Sequence, residues 1–121
     1  MAMKVLIVDD NQSITTMLSD MLDSEDYEIE VAGDGYQAMH KILSFNPILV
    51  ILDLSMPGMS GQDTLIKIKE INPNTKVIIA SAHDDDQTKK FCLKHGASYY
   101  ITKPYEAVDV SNHVKNILAE I

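Results

Sequence analysis

Three carboxylates, a hydroxyl and an amine stand where this sequence passes from apolar runs into turn-forming residues. Asp53 ends the run Ile48-Leu49-Val50-Ile51-Leu52 and is followed by Leu54-Ser55-Met56-Pro57-Gly58-Met59-Ser60-Gly61. Asp9 and Asp10 come directly after Val5-Leu6-Ile7-Val8, Ser81 after Val77-Ile78-Ile79-Ala80, and Lys103 after a fifth run near Tyr100-Ile101. Short runs of branched apolar residues read as strands buried on both faces, and Pro57, Gly58 and Gly61 make the chain leave the strand at Asp53. If the first and third strands are parallel neighbours, Asp9, Asp10 and Asp53 meet. Three clustered acids call for a cation. A hard, hydrated, all-oxygen donor set suits Mg²⁺, or Mn²⁺ in its place, and no Cys or paired His spacing argues for zinc. Three aspartates, Lys103 and one divalent cation sum to zero formal charge, so an incoming phosphoryl group meets no net repulsion. The chemistry indicated is phosphoryl transfer.

Bringing those groups together requires a parallel sheet. Periodicity places strands near 4–8, 27–31, 48–52, 76–80 and 98–101, separated by helical patterns, which is a βα unit repeated five times. In the first helix Ile14, Met17, Leu18, Met21 and Leu22 share one face, and in the last Val110, Val114, Ile117, Leu118 and Ile121 do the same; both faces are expected to pack on the sheet. Strands joined by helices run parallel with right-handed crossovers, and five units are too few for an eightfold barrel. The second strand, Tyr27-Glu28-Ile29-Glu30-Val31, alternates apolar and acidic residues, as an edge strand with one exposed face does. The expected fold is α/β, a doubly wound (βα)5 flavodoxin-like sandwich with strand order 2-1-3-4-5, whose crevice lies at the carboxyl ends of strands one and three.

Composition narrows the function. At 121 residues the chain is read as one domain spanning 1–121, with 45% hydrophobic and 23% charged residues typical of a globular protein. No apolar segment approaches the roughly twenty residues that span a bilayer, and the start at Met1-Ala2-Met3-Lys4 runs straight into a strand without a signal peptide, so a cytoplasmic location is expected. A net charge of −8 opposes direct binding to nucleic-acid phosphates. The single cysteine, Cys92, lies beside Phe91 and Leu93 in a helical pattern and is expected to be a buried core thiol.

Paired Asp9-Asp10, Asp53 within its Leu-Asp-Leu-Ser-Met-Pro-Gly-Met-Ser-Gly segment, Ser81-Ala82 and Lys103-Pro104 together resemble the receiver domain of two-component response regulators, over essentially the whole chain. The resemblance implies a phosphoacceptor switch rather than an enzyme with a small-molecule product. Asp53 would take a phosphoryl group from the phosphohistidine of a histidine kinase or phosphotransfer protein. Asp10, Asp53 and the backbone carbonyl of Ser55 would ligate Mg²⁺, with Asp9 acting through water or as a further ligand. Lys103 would bridge phosphoryl oxygens, and Pro104 would follow a cis peptide. The Ser81 hydroxyl and Tyr100 would form the switch, biasing a partner-binding face made by helix four, strand five and helix five. Many relatives carry threonine where Ser81 stands. His83 and Ser55, each two residues after a site residue, occupy places that in this family influence phosphate lifetime.

Plainer readings compete with these. Asp9-Asp10-Asn11 has the composition of a helix cap, Asp84-Asp85-Asp86 that of a solvated first helical turn, and Tyr100 is at home in any strand. His83 reads equally as an exposed loop histidine, and His40, His95 and His113 as surface residues. A phosphatase acting through an aspartyl phosphate would want an acid two residues after the nucleophile, where Ser55 stands. A flavodoxin-like flavin module would not place Asp9-Asp10 against a phosphate. The exposed stretch Gln87-Thr88-Lys89-Lys90 in the fourth helical pattern permits a dimer face without requiring one.

Overall fold

A computed structural model describes residues 2–121. Five strands and five helices alternate: β1 Met3–Val8, α1 Gln12–Leu22, β2 Tyr27–Ala32, α2 Gly35–Ser44, β3 Leu49–Leu52, α3 Gly61–Ile71, β4 Lys76–Ser81, α4 Asp86–Lys94, β5 Tyr99–Thr102 and α5 Ala107–Ala119. All neighbouring strands pair in parallel in the order β2-β1-β3-β4-β5, as the pattern of the sequence requires. Element boundaries differ from the sequence reading by a residue at several ends, β5 lying one residue further along.

The apolar runs have a simple cause. Successive residues of a strand point to opposite faces, so a sheet covered by helices on both sides needs apolar residues at every position. Leu6, Val8, Val50, Leu52, Val77 and Ile79 pack with Ala38 and Ile42 of α2, Leu65 and Ile68 of α3 and Cys92 of α4. The intervening Val5, Ile7, Leu49, Ile51, Ile78 and Ala80 pack with Leu18 and Leu22 of α1 and Val110, Val114 and Leu118 of α5. The core thus lies in two layers, and Cys92 is fully buried in one of them, where burial pushes its thiol up to about 11 and leaves it unreactive at neutral pH.

Some expected packing is absent. Leu18 and Leu22 are buried, but Met17 and Met21 are 38% and 44% exposed, on the margin of the apolar arc. Ile121 lies beyond the end of α5 and is exposed. At the β2 edge Val31 is exposed, while Glu30 is half-buried and paired with Lys41 of α2, so the strand's alternation breaks at its carboxyl end. His40 is exposed, but His95 and His113 are half-buried and stacked on Phe91 and Tyr99, with ring centroids 4.1 and 3.8 Å apart, which corrects their reading as surface residues.

Candidate acidic site at the carboxyl edge

The sheet's register carries on past the ends of its strands. The Asp9 amide donates to the Ala32 carbonyl at 3.1 Å, the Asp53 amide to Val8 at 2.9 Å, and the Lys103 amide to Ser81 at 2.8 Å. These bonds bring Asp9, Asp53 and Lys103 level with one another, although they come from strands far apart in the chain. Gly61 makes the arrangement possible on its other side. As the first residue of α3 it packs so closely on the turn after β3 that a Cβ there would lie 2.3 Å from the Leu54 Cα and 2.9 Å from the Asp53 carbonyl oxygen. Only a residue without a side chain lets the helix start there.

Carboxylate oxygens of Asp9, Asp10 and Asp53 all lie within 4.8 Å of one another. Asp9 and Asp53 are nearly buried, at 5% and 4% exposure, and Asp10 is exposed. Asp9 accepts from the Asn11 amide through Oδ1 at 2.9 Å and from Lys103 Nζ through Oδ2 at 2.9 Å. Lys103 Nζ lies 3.6 Å from Asp53 Oδ1, so one ammonium serves both buried acids and stands nearer to Asp9. Asp53 also accepts from the Ser55 amide at 3.3 Å. Burial above all, and then the charge of Asp9, raises the Asp53 carboxyl above its ordinary value of 3.8, against the opposing pull of Lys103 and the Ser55 amide. A single lysine does not compensate three acids.

The capping alternative is taken up elsewhere. The side chain of Asn11, the N-cap of α1, accepts from the Ser13 and Ile14 amides, which leaves Asp10 at the mouth of the site. Hard carboxylate oxygens at this separation, short of positive charge and open on one side to water, fit Mg²⁺, which takes oxygen donors and keeps several waters.

The remaining residues singled out from the sequence gather around the loop between β4 and α4. Ser81 is fully buried and its Oγ accepts from the His83 amide at 3.2 Å. The Tyr100 hydroxyl donates to the His83 carbonyl at 2.6 Å, and His83 Nε2 shares a 3.0 Å hydrogen bond with Ser55 Oγ. His83 is exposed, yet it joins Ser55, Ser81 and Tyr100. The peptide between Lys103 and Pro104 is cis. Asp84-Asp85-Asp86 divides its labour: Asp85 caps α4 by accepting from the Thr88 amide, Asp86 lies in the helix's first turn, and Asp84 accepts from Lys89 Nζ at 2.7 Å and from Thr102 Oγ1 at 3.4 Å. Lys89 Nζ lies 5.9 Å from the centre of the Tyr100 ring. This polar cluster around Tyr100 was not foreseen, because Asp84 and Lys89 do not have helical pair spacing. Nor was Tyr105, which follows Lys103-Pro104 and whose hydroxyl is buried without a partner.

A model of the response regulator receiver domain matches residues 5–115. The chain belongs to the response regulator receiver family. Sporulation initiation phosphotransferase F of Bacillus subtilis is 33% identical over 115 residues, covering 95% of this receiver and 93% of the relative. The crystal structure of a CheY-like receiver domain protein from Methanospirillum hungatei JF-1 superposes with a TM-score of 0.94 at 30% identity, covering 99% of this chain and 96% of that one. A CheY in complex with CheX, BeF3 and Mg²⁺ from Borrelia burgdorferi superposes with a TM-score of 0.89 at 35% identity, covering 96% and 89%. Curated relatives differ in length, so the receiver spans 48% of one and 93% of another. Among the described residues no helix is long and apolar enough to cross a membrane.

Proposed function

We propose that this receiver is a Mg²⁺-dependent phosphoacceptor switch of a two-component system, with Asp53 as the acceptor. The observation that carries the reading is the convergence of Asp9, Asp10 and Asp53 on one point, with Lys103 bonded to Asp9 and facing Asp53. A Mg²⁺ ion held by Asp10, Asp53 and the Ser55 carbonyl, with Asp9 beside it, would supply positive charge opposite the transferring phosphoryl group. No feature of the site supports Mn²⁺ in its place.

The donor is a phosphohistidine of a kinase or phosphotransfer protein. An Asp53 carboxylate oxygen attacks phosphorus, the P–N bond breaks, and the electron pair leaves with the imidazole, which takes up a proton. The product is an acyl phosphate on Asp53. Burial favours this role, since a carboxylate short of hydration is a better nucleophile once its repulsion by Asp9 is balanced. Lys103, already 3.6 Å from Asp53, needs only a small movement to meet a phosphoryl oxygen, and a fixed cation there stabilises charge that develops during transfer. The domain's catalysis is confined to its own phosphorylation and dephosphorylation.

The output follows from the loop after β4. The Ser81 hydroxyl, which accepts from the His83 amide, donates to a phosphoryl oxygen; turning towards it pulls on the bond to His83, and any shift of that loop moves the His83 carbonyl that holds Tyr100. Phosphorylation thereby biases the surface formed by α4, β5 and α5, where a downstream protein binds. The Ser55–His83 bond joins the loops after β3 and β4 beside Asp53, and in this reading it sets how readily water reaches the acyl phosphate. Protein rather than nucleic-acid partners fit the acidic charge, and the setting we read for such a switch is the cytoplasm.

The test is to incubate the protein with Mg²⁺ and acetyl phosphate and record its intact mass. One phosphoryl adduct is expected, lost when the metal is withheld and lost in Asp53→Asn. An adduct that survives in Asp53→Asn places the acceptor elsewhere.

A further inference from the structure

The Tyr105 ring packs into the core layer under α1 and α5, and its edge lines a groove of about 420 Å³ with Ile14, Met17, Ala82, Lys103 and Pro104. Its hydroxyl does not open to that groove. The oxygen is buried and makes no hydrogen bond to the protein, the only such side-chain atom among the described residues. A buried hydroxyl without a partner is costly enough that native structures rarely keep one, and ordered water commonly fills the gap where other polar groups are at hand. Lys103, which lines the same groove, is bonded to Asp9 and faces Asp53, so the acidic site adjoins the Tyr105 ring. Burial, and after it the charges of Asp9 and Asp53, push the phenol up to about 12, so it remains a donor throughout the physiological range. Each oxygen of Asp9 already has one partner, and a carboxylate has acceptor capacity for about twice that number.

We propose that the Tyr105 hydroxyl is a positioning donor for the acidic site, reaching the Asp9 and Asp53 carboxylates through a buried water and holding them in the orientation that binds Mg²⁺. The inference rests on the reading of Asp9, Asp10 and Asp53 as a Mg²⁺ site. A phenylalanine at this position would fill the core equally well, so packing alone does not call for the oxygen. Groups that orient ligands in this way typically change metal affinity while leaving the fold intact.

The experiment compares wild type with Tyr105→Phe, a change that deletes one oxygen. Calorimetric titration with MgCl₂ is expected to show affinity weakened about tenfold in the variant. Adding Mg²⁺ should also perturb the near-ultraviolet tyrosine spectrum of the wild type more than that of the variant. Thermal unfolding without metal should stay cooperative in the variant, its melting temperature lower by a few degrees at most, since one water-mediated hydrogen bond and no packing is lost. Equal Mg²⁺ affinity in the two proteins overturns the role of Tyr105 alone. If the wild type takes up no Mg²⁺ saturably, the metal site and the role of Tyr105 both fall.

Discussion

Asp9 and Lys103 form an ion pair of 2.9 Å in which the aspartate side chain is 4% exposed; one loop away, Asp84 and Lys89 form a pair of 2.7 Å in which the aspartate side chain is 74% exposed. Distance alone would make the second the stronger. Water reverses the order, because an exposed pair exchanges hydration for contact at little net gain, whereas breaking a buried pair strands a charge. The receiver therefore carries a stiff electrostatic centre at Asp9, Asp53 and Lys103 beside a polar cluster around Tyr100 that rearranges cheaply. A phosphorylation switch needs both: a fixed place for charge to arrive, and a neighbour whose bonds exchange when it does.

The contrast is tested most severely by Lys103→Met, which keeps the apolar stem and removes the ammonium. Asp9 and Asp53 then face each other without compensation, and the metal-free protein should lose about 2–4 kcal/mol, measured by urea unfolding. Saturating Mg²⁺ should return part of that stability, since a ligand at tenfold above its dissociation constant adds about 1.4 kcal/mol. A loss no larger than that of a surface lysine would abolish the distinction between the two regions.

Asp53→Asn sharpens the comparison in the opposite direction. The folded state holds the Asp53 proton more tightly than the unfolded chain does, so between the ordinary value of 3.8 and the raised folded value the native state binds more protons. Stability from this group must then fall as pH rises through that window and stay lower above it. Metal-free Asp53→Asn should consequently melt higher than wild type at neutral pH, with the gap closing as pH drops towards 4 or lower, and Mg²⁺ should raise the melting point of wild type more. Melting curves across pH, with and without Mg²⁺, decide it.

The smallest effects belong to the exposed cluster. Tyr100→Phe removes one hydrogen bond to the His83 carbonyl and should cost about 0.5–1.5 kcal/mol. Asp84→Asn should shift the melting temperature by under about 1 °C, although Lys89 holds the Asp84 carboxyl below its usual range. A large loss from Asp84→Asn would show that the loop after β4 is braced rather than loose.

Much of this was legible in the chain itself. Strand runs apolar at every position, the alternating edge strand and the Gly/Pro punctuation after Asp53 are local consequences of period, burial and backbone freedom, and they were enough to place Asp9, Asp10, Asp53, Ser81 and Lys103 at one edge of a parallel sheet. Local pattern was insufficient for Met17 and Met21, because a helical stripe does not say how much of its arc the sheet covers. It was silent about Tyr105, where an aromatic residue reads the same whether its oxygen is idle or used. What only the tertiary structure decided is partnership: that Lys103 leans on Asp9 across 94 residues, that His83 meets Ser55 across 28, and that Asn11 rather than Asp10 caps α1. Spacing along a chain encodes contacts a few residues apart, whereas these pairings depend on strand register and on which groups are left dry once the layers close.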